Sequence, residues 1–239
     1  MRFETRYTYD FVKRFLPRDC RRILEIGCGT GELAARLSRD ASVVAIDSDR
    51  DSVAAAQRLG VDARVATWPD FNEGYFDAVL FTRSLHHIHP LDGSVRHAAD
   101  RLVKGGRIIV EDFAYESTDE KTLRWFGSAI RLLEASGLLT VSDEFLDKVL
   151  SKTETLKAWR QNHEVELHTA AEIDAQLEKF SGRVIRENAG YYFRYMANAI
   201  TATEKRDAIL QAFAVQEETL AAHGAIIALG RRFVATQPG

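Results

Sequence analysis

Hydrophobic positions in the first half of the chain fall in short unbroken runs, and amphipathic stretches separate them. Arg22-Ile23-Leu24-Glu25-Ile26, Val43-Val44-Ala45-Ile46 and Phe76-Asp77-Ala78-Val79-Leu80-Phe81 each read as a strand buried on both faces. Val61 to Ala66 reads as a weaker strand. Leu33, Ala34 and Leu37, and later Val95, Ala98, Ala99 and Leu102, lie at helical spacing between these runs. Gly105-Gly106 reads as a turn, followed by a fifth strand, Arg107 to Val110, that ends in Glu111 and Asp112. Continuous apolar strands alternating with amphipathic helices predict a parallel sheet covered on both faces. Right-handed crossovers make that sheet doubly wound.

The pattern changes after Asp112. Thr118 to about Lys157 reads as helical, with Leu123, Phe126, Ile130 and Leu133 on one face, and Phe145, Leu146, Val149 and Leu150 form a second helical group. Ala170 to Phe180 reads as a helix and Arg183 to Tyr195 as an aromatic-rich strand. A long helix over Glu204 to Ala222 precedes a last strand around Ile226 to Thr236. The expectation is an α/β fold with a seven-stranded, mostly parallel sheet whose last strand is antiparallel. Residues 1–239 form one domain, in which 114–169 are a helical lid inserted after strand five.

Composition narrows the partners. A formal net charge of -3 lacks the basic excess of chains that live on nucleic acid or anionic membranes, so neither is expected. Two cysteines, Cys20 and Cys28, provide neither a disulfide framework nor zinc-ligand spacing, and no metal is expected. The first ten residues carry charges and aromatics instead of a basic start and an apolar run, and no apolar stretch approaches membrane length. The expected compartment is the reducing cytoplasm. Nothing in the pattern fixes an oligomeric state.

Candidate chemistry concentrates in Ile23-Leu24-Glu25-Ile26-Gly27-Cys28-Gly29-Thr30-Gly31-Glu32-Leu33, a buried strand that runs into three glycines and then a helix. Glycines at such a turn let the backbone approach a ligand closely, and the turn opens at the carboxyl ends of the strands, where ligands bind in open α/β sheets. The spacing is G-x-G-x-G, not the G-x-G-x-x-G of dinucleotide enzymes, which argues against a nicotinamide oxidoreductase. Asp47, ending the next strand roughly 20 residues on, occupies the usual place of an acid that accepts ribose hydroxyls. Ser48 or Asp49 can cap the helix that follows.

These residues resemble motifs I and II of class I S-adenosylmethionine (SAM)-dependent methyltransferases. The likeness continues through Phe76 to Leu80 with Leu85-His86-His87, and through Leu102-Val103-Lys104-Gly105-Gly106, covering about residues 20 to 113 in order. The resemblance implies SAM as cofactor, with S-adenosylhomocysteine (SAH) as product. Gly27, Gly29 and Gly31 would wrap its methionine end, with Cys28 packed in the loop, and Glu25 would lie near it. Asp47 and Ser48 would serve the ribose, and Thr82, just after the fourth strand, is a further cofactor-binding candidate. One departure is that the third strand lacks the acidic residue that often binds the adenine amino group. Thr67 and Trp68 are the candidates there, and Asp62 is the nearby acid.

Methyl transfer is an in-line displacement, which mainly requires alignment and exclusion of water. A base helps when the acceptor is a hydroxyl or amine. His86, His87 and Glu111 are the catalytic candidates, within a wider set of Arg83, Ser84, His89, Asp112 and Tyr115. The alternative for Glu111 and Asp112 is a polar strand end at the surface. A lid set comprises Trp125, Trp159, Arg160, His163, His168, Tyr191, Tyr192 and Tyr195, for which core packing is the plainer role, with solvated or capping roles for the two histidines. The expected activity is methyl transfer to a small-molecule acceptor, a reading that rests on the scale of the lid. The alternative is a non-catalytic SAM-binding regulator or partner-activating protein.

Overall fold

Strand β1 (Arg22–Ile26) is buried along all but its first residue because both neighbours in the sheet are strands: it pairs in parallel with β2 (Ser42–Asp47) on one side and β4 (Phe76–Thr82) on the other. The computed structural model describes residues 1–139, 155–163, 166–181, 183–200 and 204–237. The remaining strands are β3 (Asp62–Val65), β5 (Leu102–Phe113), β6 (Val184–Ala189) and β7 (Gly230–Thr236), in the order β3-β2-β1-β4-β5-β7-β6 with β7 antiparallel. The seven-stranded, mostly parallel sheet is the one expected. The strand order reverses between β1 and β4, and the ends of those strands therefore open a crevice.

Helices α1 (Phe3–Phe15), α2 (Glu32–Leu37), α3 (Arg50–Arg58) and α4 (Leu91–Asp100) accompany this half. Asp49 caps α3, its carboxylate accepting from the backbone N–H groups of Asp51 and Ser52 at 3.2 and 3.1 Å. Leu33, Ala34 and Leu37 of α2 and Val53 and Ala56 of α3 join Ile23, Val43 and Ala45 in one buried cluster. Helix α1 is tied down by charge as well as packing. Glu111 accepts from Thr8 Oγ1 at 2.7 Å and from Arg232 at 2.7 and 2.9 Å, while the Arg232 guanidinium lies over the rings of Tyr7 and Phe11.

The chain divides into two compact units. The first holds Met1–Asp112, Ala170–Glu187 and Arg232–Gly239; the second holds Phe113–Thr169 and Asn188–Arg231. Residues 114–169 thus cluster with a later segment, Asn188–Arg231. The second unit contains α5 (Glu120–Ala135), α6 (Thr155–His163), α8 (Tyr192–Met196) and α9 (Arg206–Ala222), whereas α7 (Ala170–Ser181) belongs to the first. Asp119 caps α5 by accepting from Thr122 N–H at 2.7 Å. The group at Phe145 to Leu150 lies outside the described residues.

Two sequence expectations fail locally. Gly105-Gly106 is not a turn but part of β5: Phe76 pairs with Leu102 and Ala78 with Arg107, so β5 absorbs its extra residues in a bulge. The aromatic stretch to Tyr195 is not all strand. β6 ends at Ala189, and the buried carboxylate of Glu217 accepts from the N–H groups of Tyr191 and Tyr192 at 2.9–3.0 Å, which turns the chain into α8. Burial raises the Glu217 carboxyl to about 8.

Candidate active site

The glycine loop is held from below and behind. Gly27 and Cys28 donate to Ile46 O at 2.9 and 3.1 Å, and Gly31 N–H returns to Cys28 O at 3.0 Å. All three glycines have positive φ. A Cβ at Gly27 would stand 2.5 Å from Ser84 Cβ, and one at Gly31 would stand 2.4 Å from Ala56 Cβ, so neither position tolerates a side chain. A Cβ at Gly29 would meet no atom within 4 Å, which leaves that face of the loop open. Asp47 fixes the arrangement: Oδ2 accepts from Gly29 N–H at 2.8 Å and Oδ1 from Asp49 N–H at 2.9 Å.

A cavity of about 410 Å³ opens at this loop. Of the residues anticipated from sequence, Gly27, Gly29, Asp47, Ser48, Thr67, Trp68 and His87 line it, together with Arg83, Ser84 and His89 from the wider set. Ile26, Ile46, Ala66 and Ile88 complete the wall. Sequence reasoning passed over these apolar residues, although Ile26 ends a strand, Ile46 is one residue from the end of another and Ala66 follows a third, so the register of those ends could have found them. Trp68 is buried, its Nε1 donating to Ser94 O at 3.2 Å, and Thr67 Oγ1 donates to Asp70 at 2.8 Å. Asp62 is not in the lining; Arg64 pairs with it at 2.9 Å.

The other residues anticipated at the cofactor do not line the cavity. Glu25 is 1% exposed; Oε1 accepts from Thr82 Oγ1 at 3.2 Å, while Oε2 has no hydrogen-bond partner among the described residues. Burial raises its carboxyl to about 7, against the opposing pull of the Thr82 hydroxyl. Cys28 is buried and its thiol is pushed up to about 12, chiefly by desolvation, so it is no nucleophile near neutral pH.

Among the catalytic candidates, His86 and Asp112 are both buried, with Nδ1 and Oδ1 2.7 Å apart. The rings of His86 and His87 are 4.0 Å apart. His87 faces the cavity, and desolvation, aided by His86, lowers its pKa below the ordinary histidine value. Glu111 is 2% exposed and is engaged by Arg232 and Thr8, and Asp112 is fully buried, so neither is the surface strand end that was the alternative. Tyr115 belongs to the second unit, where its hydroxyl donates to Leu167 O at 3.1 Å. In that unit Trp125, Trp159 and Phe126 each contact the Tyr192 ring, Trp125 stacks on Phe213, and Tyr191 stacks on Phe113. His163, for which a solvated or capping role was expected, is buried at 4% exposure between Trp159 and Tyr195 because its ring packs against Trp159 at 4.2 Å. Among the described residues no group of three or more His, Cys, Asp or Glu could hold a metal, and no helix is long and apolar enough to cross a membrane.

Comparison with known proteins agrees with this geometry. Residues 2–181 match a family model described as a methyltransferase domain. The chain is 30% identical over 168 residues to the ubiquinone biosynthesis O-methyltransferase of Xanthomonas oryzae pv. oryzae, covering 66% of this chain and 68% of the relative. It is 38% identical over 90 residues to the trans-aconitate 2-methyltransferase of Mycolicibacterium gilvum, covering 34% of each. The crystal structure of the plantazolicin methyltransferase BpumL with a monoazolic desmethylPZN analog and SAH shares the fold, with a TM-score of 0.56 and 13% identity over 99% of this chain and 83% of that one. The chain belongs to the methyltransferase-domain family, as a SAM-dependent enzyme.

Proposed function

We propose that this methyltransferase acts on a small-molecule acceptor and that the glycine-loop cavity holds its cofactor. The observation that carries the proposal is the cavity of about 410 Å³, walled by the glycine loop, Asp47, Trp68 and the histidine turn. Its volume is within the range of small-molecule pockets, roughly 300–1,000 Å³. The names of the two curated relatives refer to ubiquinone biosynthesis and to trans-aconitate, which supports an acceptor of that scale.

The residues present suit an adenosyl ligand. Gly29 is open on the ligand side, Asp47 has used only part of its acceptor capacity on two backbone amides, and Glu25 Oε2 is a buried acceptor with no hydrogen-bond donor among the described residues. In this reading Gly27 and Gly29 bring backbone against the methionine end. Asp47 and Ser48 take the ribose hydroxyls, and Thr67 and Trp68 flank the adenine. Glu25, buried with Thr82 next to the lining residue Ile26, serves the ligand's ammonium group directly or through water, while Cys28 and Gly31 shape the loop. SAM, when bound, supplies an activated methyl group on a sulfonium.

His87 is our candidate to take a proton from a hydroxyl or amine acceptor, since a lowered pKa keeps its ring neutral near pH 7. His86, buried against Asp112, is a positioning residue for the turn that carries His87. Glu111 has no part in this reading, because Arg232 and Thr8 already occupy its oxygens. We treat residues 1–239 as one methyltransferase domain.

Calorimetric titration with SAM, SAH and NADH, followed by a screen of small acceptors for methyl transfer, tests the proposal. Micromolar binding of SAM and SAH without NADH, plus turnover on a small acceptor, is the expected result. Binding without turnover on any acceptor class would favour a non-catalytic SAM-binding protein instead.

A further inference from the structure

Arg83 follows the last residue of β4 with φ at 66°, a left-handed conformation that glycine adopts without strain and arginine does not. Its N–H donates to Glu111 O at 2.7 Å, so the β4–β5 pairing imposes the backbone. A long cationic side chain is therefore kept where the backbone favours none, and an outlier of this kind is a pointer to function. Arg83 is exposed and lines the cavity, and its guanidinium forms no ion pair or hydrogen bond with the described residues.

The rest of the lining leaves that charge unanswered. Asp47 is the carboxylate among the lining residues, and both its oxygens are directed to the amides of Gly29 and Asp49. Glu25 is buried with Thr82. His87 and His89 are the remaining basic lining groups, and an imidazole can be neutral, whereas a guanidinium stays charged. Glu25 feels the Arg83 charge without an ion pair to it, and a charged planar fork at a cavity edge, not ion-paired among the described residues, matches a carboxylate in bidentate geometry.

We propose that Arg83 is a carboxylate receptor and grips a carboxylate of the molecule bound in this cavity. The inference rests on the methyltransferase reading for the identity of that molecule. The carboxylate belongs either to the methionine end of the cofactor or to an acidic acceptor.

The test titrates wild type, Arg83→Gln and Arg83→Gly with SAH and with 5′-methylthioadenosine, which lacks the amino-acid end. Succinate is then titrated into the free and the SAH-loaded proteins. If the cofactor supplies the carboxylate, SAH binding weakens roughly ten- to hundredfold in both variants while methylthioadenosine binding is unchanged. If the acceptor supplies it, SAH binding is unchanged, and succinate binds SAH-loaded wild type but neither variant. Arg83→Gly relieves the left-handed backbone, so it should melt no lower than wild type and keeps the test valid if Arg83→Gln folds poorly. Equal SAH affinity in all three proteins, with no succinate binding that depends on Arg83, overturns the proposal. If wild type binds no adenosyl ligand, the methyltransferase reading falls. Succinate binding by the free protein, and its loss in the variants, then decides the receptor on its own.

Discussion

The carboxylate of Asp47 accepts the backbone N–H of Gly29 at 2.8 Å, so the end of β2 holds the open corner of the glycine loop in register. The same carboxylate reaches the Asp49 N–H at 2.9 Å and lines the cavity. Asp47→Ala removes a loop anchor and a ligand acceptor together. SAH affinity should fall roughly ten- to hundredfold, the worth of one or two charge-assisted hydrogen bonds. The fold should survive with a loss of about 1 kcal/mol, because the group is partly exposed. Calorimetry with a parallel thermal melt checks both, and unchanged SAH affinity would remove Asp47 from the cofactor site.

Gly31 and Gly29 should separate structure from ligand binding. A methyl at Gly31 would stand 2.4 Å from Ala56 Cβ and 2.8 Å from its Cα, pushing the start of α2 off α3. Overpacking of this kind costs about 1–3 kcal/mol, and the left-handed φ adds about 1–2 kcal/mol. Gly29→Ala carries only the backbone cost, because its methyl would point into open space. We expect Gly31→Ala to show a large drop in unfolding midpoint. Gly29→Ala should show a small drop with markedly weaker SAH binding. Equal midpoints for the two would contradict the packing argument.

The parts of this molecule legible in sequence are those written by near neighbours. The buried runs at Ile23–Ile26, Val43–Ile46 and Phe76–Phe81 and the glycine loop needed no distant partner to declare themselves. Asp47, Ser48, Thr67, Trp68 and His87 could be placed at one cavity because parallel strands in register bring their ends together. What stayed hidden depends on contacts across the chain. Tyr192 begins a helix because Glu217 supplies a buried acceptor for its N–H. Glu111 looked like a base at a strand end until Arg232, far along the chain, occupied it. The length of β5 was masked by a bulge that a Gly-Gly pair cannot distinguish from a turn.

The Glu111–Arg232 pair is accordingly a stability element. Both side chains are nearly fully buried, and Thr8 completes the carboxylate's contacts. Arg232→Met leaves a buried carboxylate without its cation, which costs about 3–5 kcal/mol in comparable sites. Loss of the guanidinium over Tyr7 and Phe11 works in the same direction. Adding Glu111→Gln to Arg232→Met should restore part of the loss by removing the orphaned charge. Denaturant midpoints of the single and double variants measure this. A neutral Arg232→Met would show that the pair is screened by water.

Glu25 makes the stability of the ligand-free protein fall as pH rises. Burial raises its carboxyl from an ordinary 4.5 to about 7 in the folded state. Between those values the folded chain keeps a proton that the unfolded chain has released, so stability falls with rising pH across that window and levels off above about 7. A shift of that size corresponds to about 3 kcal/mol at 1.36 kcal/mol per unit. Glu25→Gln cannot ionise, so its stability advantage over wild type should grow from about pH 5 to about pH 8 and then stay constant. Glu217, raised to about 8 in both proteins, cancels from the difference. The same variant should bind SAH more weakly, since it loses the carboxylate we assign to the ligand's ammonium group. Urea midpoints across that pH range, with SAH titrations at its upper end, test both expectations. A difference between the two proteins that does not change with pH would mean that Glu25 remains ionised in the fold.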